Sequence, residues 1–356
     1  MKILFVIRDM VIGGAGKQLA LTANALSRMG HKVFIFAYFG GKNEHLLDVS
    51  VSYIPQNSVP KSKINEYLFS VFRIRKRMKV IKPDIAISWR CNAGCFTRLA
   101  AFRLPLKVVF SERSDPYTET SFALKVSAFI ASFSDGGVFQ TEAVRKYYKH
   151  LYSKSIVIPN PFDENVSAGN VLGYSKRKLE IVHIARMVIS QKRQDLMLQA
   201  FKIFLEKYPD YHLAFYGDGP DLERVRSFAK NLGVEKNTIF CGDVVGAASR
   251  IGSTKLLVLT SDYEGIPNVI MEAFAMDVPV VSTDCSPGGA RVLIDDGENG
   301  FIVPAGDAKK LAQKMCSVVE NECLAEKFIE KGKEKLKLFE PSSIFQKWNE
   351  YLMRLV

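Results

Sequence analysis

Short apolar runs of strand length recur through this chain, and most are followed by a longer segment of helical periodicity. Lys2 to Asp9, Lys32 to Phe39, Val49 to Pro55, Asp84 to Arg90, Lys107 to Arg113, Gly136 to Thr141 and Ser155 to Pro159 read as strands. Gly13 to Arg28, Asn92 to Phe102 and Thr120 to Phe133 read as helices between them. Such alternation asks for parallel strands joined by crossover helices, a doubly wound α/β sheet. It stops at Ile156 to Asp163, where Pro159, Asn160 and Pro161 block a continuing helix, and the polar stretch Glu164 to Ser175 reads as a linker. With 356 residues, 47% of them hydrophobic, the chain can bury two cores. The expected domains are therefore residues 1–165 and 166–340, with a last helix over 341–356.

The pattern restarts at Leu179 to Ala185, passes Arg186 and Lys192 in a strand-to-helix loop, and enters a helix over Gln194 to Tyr208. Two cations in such a loop suit a nucleotide diphosphate, Arg through a planar fork and Lys as a point charge. Tyr216 to Asp221 and Cys241 to Val244 read as further sheet-edge loops, the former starting a helix capped by Asp218. The most informative stretch is Lys255 to Asp307. Strand candidates Lys255 to Thr260 and Pro279 to Asp284 flank a crossover helix that should begin near Pro267, since proline suits a first helical turn. Glu264 then lies in a loop at the carboxyl end of a parallel strand, where open α/β sheets place their ligands. Gly265 allows close backbone approach, and the N–H groups of Ile266, Asn268 and Val269 would form an anion seat at the positive end of the helix dipole. Glu272, about a turn and a half further on, can accept hydrogen bonds from ribose hydroxyls. The set describes a nucleotide-sugar pocket. Taken singly, Glu264 would also suit a helix start and Glu272 a solvated face.

The segment from Tyr263 to Ala273, followed by Pro279 to Asp284 and Asp296 to Pro304, resembles the E-x7-E signature of the family 4 retaining glycosyltransferases. Arg186 and Lys192 match that family's R-x5-K element. The resemblance implies the GT-B fold: two Rossmann-like domains facing a cleft, with the terminal helix at Ser342 to Leu355 crossing back to the first domain. It implies that Glu264 holds the donor sugar, that Val244 contacts the base, and that the glycine-rich turn bearing Gly14 faces the donor. In the family a glutamate often stands where this chain has Gly16, and a histidine where it has Arg113. That turn, Val11 to Gln18, fits neither G-x4-G-K-[ST] nor G-x-G-x-x-G.

Two further strand ends, Ser88 to Asn92 and Ser111 to Pro116, carry polar groups that a sheet core does not need. Glu112 and Arg113 either orient an acceptor hydroxyl or neutralise its phosphate, or pair with each other or with loop partners. No D-x-D occurs, so no metal is expected and Arg186, Lys192 and the helix amides would carry the diphosphate charge. The six cysteines lack paired C-x2-C spacing and read as free thiols.

The net charge of +12 concentrates at Lys61 to Lys82, a basic amphipathic helix with Glu66 as its one acid. It suits anionic lipid, or equally a solvated face over a core stripe; no nucleic-acid module accompanies it. The start Met1 to Asp9 is too short for a signal sequence and no later apolar run reaches membrane-spanning length. The expected protein is a cytoplasmic enzyme, peripheral at the inner membrane face. It would move a hexose or N-acetylhexosamine from a nucleotide-diphosphate sugar, UDP-linked in the first instance, to a lipid-diphosphate-linked glycan in surface-polysaccharide assembly, with retention implied by the resemblance. A GT-B nucleotide-sugar 2-epimerase and a non-catalytic nucleotide- or membrane-binding protein are the alternatives.

Overall fold

The computed structural model describes residues 1–11, 13–41, 43, 45–56, 63–118, 120–166, 172–244 and 246–356, without the side chains of 63–68. Lys61 and residues 167–171 of the expected linker lie outside that description. The chain forms two compact units, Met1–Pro161 with Ser342–Val356, and Phe162–Pro341.

In the first unit β1 (Lys2–Ile7), β2 (Lys32–Ala37), β3 (Ser52–Pro55), β4 (Ile85–Trp89), β5 (Lys107–Glu112), β6 (Gly136–Phe139) and β7 (Ser155–Val157) pair in the order 3-2-1-4-5-6-7. Every described pairing is parallel. The period of two along β1 sorts its side chains between two cores. Ile3, Phe5 and Ile7 pack with Leu19, Ala23 and Leu26 of helix Gly14–Arg28. Leu4 and Val6 face the other way, onto Ile74, Met78 and Phe96 of helices Lys63–Ile81 and Cys91–Ala100.

Helix Pro341–Met353 closes the first of these cores, although its residues are nearly two hundred positions from the rest of the unit. Trp348 is buried and stacks on Trp89 with centroids 6.0 Å apart. The Arg113 guanidinium lies over both rings, 4.2 Å from Trp89 and 5.3 Å from Trp348. Tyr351 donates to the Lys154 carbonyl at 2.6 Å and accepts from the Gly137 N–H at 2.8 Å. A Cβ on Gly136 would strike that hydroxyl, so the strand must be bare there.

In the second unit β8 (Lys178–Ile184), β9 (His212–Tyr216), β10 (Thr238–Gly242), β11 (Thr254–Leu259), β12 (Val280–Thr283) and β13 (Phe301–Val303) pair in the order 10-9-8-11-12-13, again all parallel. Leu256 and Val258 face helices Gln194–Leu205 and Ala308–Glu320, while Leu257 and Leu259 face helix Asn268–Ala275.

The crossover helix begins beside Pro267 as expected, while the place of that proline in it and the cap at Asp218 need correction. Pro267 is the capping residue of its helix, with ψ of 97°, and the first helical residue is Asn268; a β-region ψ belongs just outside a helix, not within its first turn. Asp218 does not cap the helix Leu222–Leu232, whose cap position is Asp221. The Asp221 carboxylate instead accepts from the Ile189 N–H at 2.9 Å, joining this loop to the one after β8.

Trp348→Ala should destabilise the first unit by about 3–5 kcal/mol, the range for truncating a buried aromatic. Denaturant unfolding of the variant, followed by circular dichroism, measures it.

Candidate active site

The second unit's strand order reverses between β8 and β11, so the loops leaving their carboxyl ends open beside each other instead of being bridged by one crossover. Backbone bonds stitch these loops together. The Asp262 N–H donates to the Gln191 carbonyl at 2.9 Å, and the Gln191 side chain donates to the Tyr263 carbonyl at 3.2 Å. The Thr260 hydroxyl donates to the Lys192 carbonyl at 2.7 Å. Its proton being spent there, it accepts from Nε2 of the buried His183 at 3.0 Å, which fixes the protonated nitrogen of that ring.

On this frame Lys192 Nζ and Glu264 Oε1 form a direct ion pair, their side chains 18% and 12% exposed. Ser261 Oγ donates to the same carboxylate oxygen at 2.7 Å. Glu264 Oε2 has no hydrogen-bond partner among the described residues and is available to a ligand hydroxyl. A lysine has three donors, so Lys192 keeps two for an anion. Partial burial raises the value of the pair, since losing either member strands the other; a charge-assisted bond of this kind contributes about 1.5–3 kcal/mol.

Arg186 leaves the same β8 loop, exposed and without an ion pair among the described residues. Its carbonyl is held by the Gln194 side chain at 2.9 Å. Gly217 and Gly219 make room for this loop, because a Cβ on either would collide with the backbone of Ala185 or Met187. Arg193 bridges Asp195 at 3.0 Å and Asp262 at 3.1 Å, and these carboxylates raise its pKa, that of Asp195 foremost.

The loop from Glu264 to Pro267 is held from the far side by the chain after β12. The Glu264 N–H donates to the Ser286 carbonyl at 2.8 Å, and the Ser286 N–H to the Asp262 carbonyl at 2.9 Å. Gly289 packs so closely that a Cβ there would overlap the Gly265 carbonyl oxygen. Ile266 is buried, and the backbone N–H groups of Ile266 and Val269 have no acceptor among the described residues. Glu272 is half-buried on the helix that follows. Val244 lies past β10, two strands away from β8, at the same carboxyl edge.

Gly14, Glu112 and Arg113 belong to the first unit. Gly14 is the first residue of helix Gly14–Arg28, whose start is held by Trp89 Nε1 donating to the Ala15 carbonyl at 3.1 Å. The space above Gly16 is filled by the His45 ring, with Nε2 3.1 Å from the Val11 carbonyl. Glu112 and Arg113 form no ion pair with each other among the described residues. Buried Glu112 accepts from the Arg113 N–H at 2.9 Å, the Ser114 N–H at 3.1 Å and the Ser114 hydroxyl at 2.7 Å, with Tyr148 at 3.2 Å on its second oxygen. Burial lowers the Arg113 pKa to about 9, against the opposing pull of Glu112. Its Nη1 lies 3.3 Å from Asn160 Oδ1.

Comparison with known proteins decides what this arrangement belongs to. Residues 170–335 match the profile of the group 1 glycosyl transferases and residues 12–166 that of glycosyltransferase family 4. The chain is 30% identical over 259 residues to the lipopolysaccharide core biosynthesis glycosyltransferase LpsE of Rhizobium meliloti, covering 72% of this chain and 71% of that one. The chain belongs to the family 4 glycosyltransferases. A second member, from Campylobacter jejuni, is 27% identical over 362 residues, 98% of this chain and 97% of that one. Its name is GalNAc-alpha-(1->4)-GalNAc-alpha-(1->3)-diNAcBac-PP-undecaprenol alpha-1,4-N-acetyl-D-galactosaminyltransferase. Anabaena HepE in complex with UDP and glucose superposes with a TM-score of 0.82 over 99% of this chain and all of that one, at 19% identity. The fold is GT-B.

The second unit thus brings a lysine and a carboxylate together, with Arg186 on the same loop as the lysine and the Ile266 and Val269 amides without acceptors among the described residues. Among the described residues no group of His, Cys, Asp and Glu could hold a metal ion. Ser261, Thr260, Gln191, Gly289 and His183 were not singled out from sequence. Gln191 adjoins Lys192, and Ser261 and Thr260 lie three and four residues before Glu264, but their spacing resembles any polar loop.

His183 supplies the test of this frame. Burial, with the Lys192 charge beside it, lowers its pKa to about 3. The unfolded chain, titrating near 6.5, binds the proton first, so stability is lost as pH falls below that value, down to about 3. Between pH 7 and pH 5 wild type should lose about 2 kcal/mol more than His183→Gln. Denaturant titrations of both proteins at the two pH values measure the difference.

Proposed function

We propose that this glycosyltransferase transfers a hexose or N-acetylhexosamine from a nucleotide-diphosphate sugar, UDP-linked in the first instance, to a hydroxyl of a lipid-diphosphate-linked glycan, with retention of configuration. The observation that carries the reading is the Lys192–Glu264–Ser261 cluster, with Arg186 exposed on the same β8 loop as Lys192 and without an ion pair among the described residues. Arg186, the two remaining Lys192 donors and the amides of Ile266, Asn268 and Val269 are assigned to the diphosphate. Glu264, through its unpartnered oxygen, takes the donor sugar's hydroxyls; Gly265 and Pro267 shape the backbone between sugar and phosphate. Glu272 takes the ribose and the backbone at Val244 the base. In the first unit the turn at Gly14 and the loop at Glu112 and Arg113 are the acceptor-side candidates, with Glu112 shaping its loop through Ser114 and Tyr148.

In this mechanism the bond from the anomeric carbon to the diphosphate breaks as cations gather on the departing oxygens. The acceptor oxygen bonds to the same carbon on the same face. Its proton passes to the leaving phosphate, so no separate base is required. No resident metal is needed, because protein cations meet the charge a metal would otherwise meet. The UDP named in the HepE complex and the undecaprenol diphosphate in the Campylobacter enzyme's name support the donor and acceptor classes. No helix among the described residues is long and apolar enough to cross a membrane, and we place the enzyme at the inner membrane face, where a lipid-borne acceptor presents its glycan.

Release of nucleoside diphosphate across a panel of UDP-, GDP- and ADP-sugars, with and without membrane lipid extract, tests this reading. Release should require the extract, persist in EDTA, and fall by roughly 10²–10³-fold in Glu264→Ala. A donor turned over equally well by Glu264→Ala, or no donor turned over at all, would sink it.

A further inference from the structure

One face of the first sheet carries helices Lys63–Ile81, Cys91–Ala100 and Phe122–Ala131 side by side. Inward they fill the core with residues such as Ile74, Met78, Phe96 and Ala128. Outward they break the usual pattern. Phe122, Val126, Phe129 and Phe133 follow one another at steps of four, three and four residues, one line along the third helix and just past its end. They are 81, 40, 55 and 50% exposed. Phe69, Phe72 and Val80 of the first helix, and Leu99 and Phe102 at the end of the second, are exposed as well. Scattered exposed apolar residues are ordinary, but so many across neighbouring helices mark an interaction surface.

Charge on the same face selects the partner. Helices Cys91–Ala100 and Phe122–Ala131 contain no acid, and Lys63–Ile81 has Glu66 alone against Lys63, Arg73, Arg75, Lys76, Arg77 and Lys79. Not all of these point outward: Arg75 donates to the carbonyls of Ala100 and Phe102 at 2.7 and 2.8 Å, whereas Lys76 and Lys79 are exposed. Beside the phenylalanine line opens a groove of about 250 Å³ walled by Lys125, Phe129, Ser132, Tyr147, Lys149 and His150. The His150 ring stacks on Phe133 at 5.2 Å, so the phenylalanine line runs into the wall that carries Lys125 and Lys149. A second copy of this chain would meet it with the same positive charge.

The geometry points to an anionic phospholipid bilayer as the occupant of this face. The Phe122–Phe133 line enters the acyl boundary, and the groove between Lys125 and Lys149 takes a headgroup phosphate. This deepens the proposed function and rests on it for a membrane-borne acceptor. It moves the main anchor from the basic helix to the phenylalanines of the third.

Flotation of the full chain with vesicles of phosphatidylglycerol and phosphatidylethanolamine, and with vesicles of phosphatidylcholine, tests the inference. The chain should float with the former and not the latter. The double variant Phe122→Ser/Phe129→Ser should lose roughly ten-fold or more in vesicle partitioning, with thermal unfolding and nucleoside diphosphate affinity unchanged. Flotation of the variant like wild type would overturn the inference, as would equal flotation with phosphatidylcholine. So would sedimentation in lipid-free buffer showing a wild-type dimer that the variant dissolves. Donor turnover is read separately, so failure of the glycosyltransferase reading leaves the flotation result intact.

Discussion

The ion pair between Lys192 and Glu264 is the constraint that joins the loops at the carboxyl edge of the second unit's sheet. Neither residue could be held half-buried alone, because an unpaired charge there would be costly. Keeping them together requires two loops from different crossovers to meet, and that happens where the strand order reverses between β8 and β11. The smaller features serve this meeting: Thr260 and Gln191 tie the loops, Gly289 lets the chain after β12 press on Gly265, and Gly217 and Gly219 let a third loop lie under Ala185 to Met187. The Arg186 backbone is held by the same frame, and its side chain has no ion pair among the described residues, which suits the diphosphate role proposed for it.

Much of this was readable in advance, for reasons that differ by element. Strands β1 to β8, β11 and β12 stand out because parallel strands buried on both faces are nearly continuous apolar runs. Of these, β3 and β7 are short edge strands that were read from the turn residues beside them, whereas β10, with Ile239 43% exposed, and the three-residue β13 were not read as strands. β9 opens with an exposed His212 and was not read as a strand, although the loop Tyr216 to Asp221 at its end was read as a sheet-edge loop. Arg186, Lys192 and Glu264 were picked out by their place at strand ends and by the R-x5-K and E-x7-E elements they match, and the structure joins Lys192 to Glu264. Their pairing was not legible, because Lys192 and Glu264 are separated by seventy-odd residues and no local pattern joins them.

Glu112 and Arg113 show the opposite case. Adjacent opposite charges invite an ion pair, yet neighbouring residues on a strand end point to opposite sides. Glu112 turns into its own loop, and Arg113 turns onto Trp89 and Trp348, a partner more than two hundred residues away in sequence. Arg113 therefore links the β5 loop to the returning terminal helix within one core. No window of sequence contains that contact. The apolar line at Phe122 to Phe133 was visible as a helical period, but a period cannot say which face it lines; only its exposure does.

Calorimetric titration of the nucleoside diphosphate that the enzyme releases, and of its parent nucleoside, into wild type and Arg186→Ala tests the central claim most directly. The account predicts that wild type binds the diphosphate far more tightly than the nucleoside, and that Arg186→Ala removes roughly ten-fold or more of that preference while nucleoside affinity stays the same. An unchanged preference in the variant would contradict it, because the diphosphate would then be held somewhere other than the loops joined by Lys192 and Glu264.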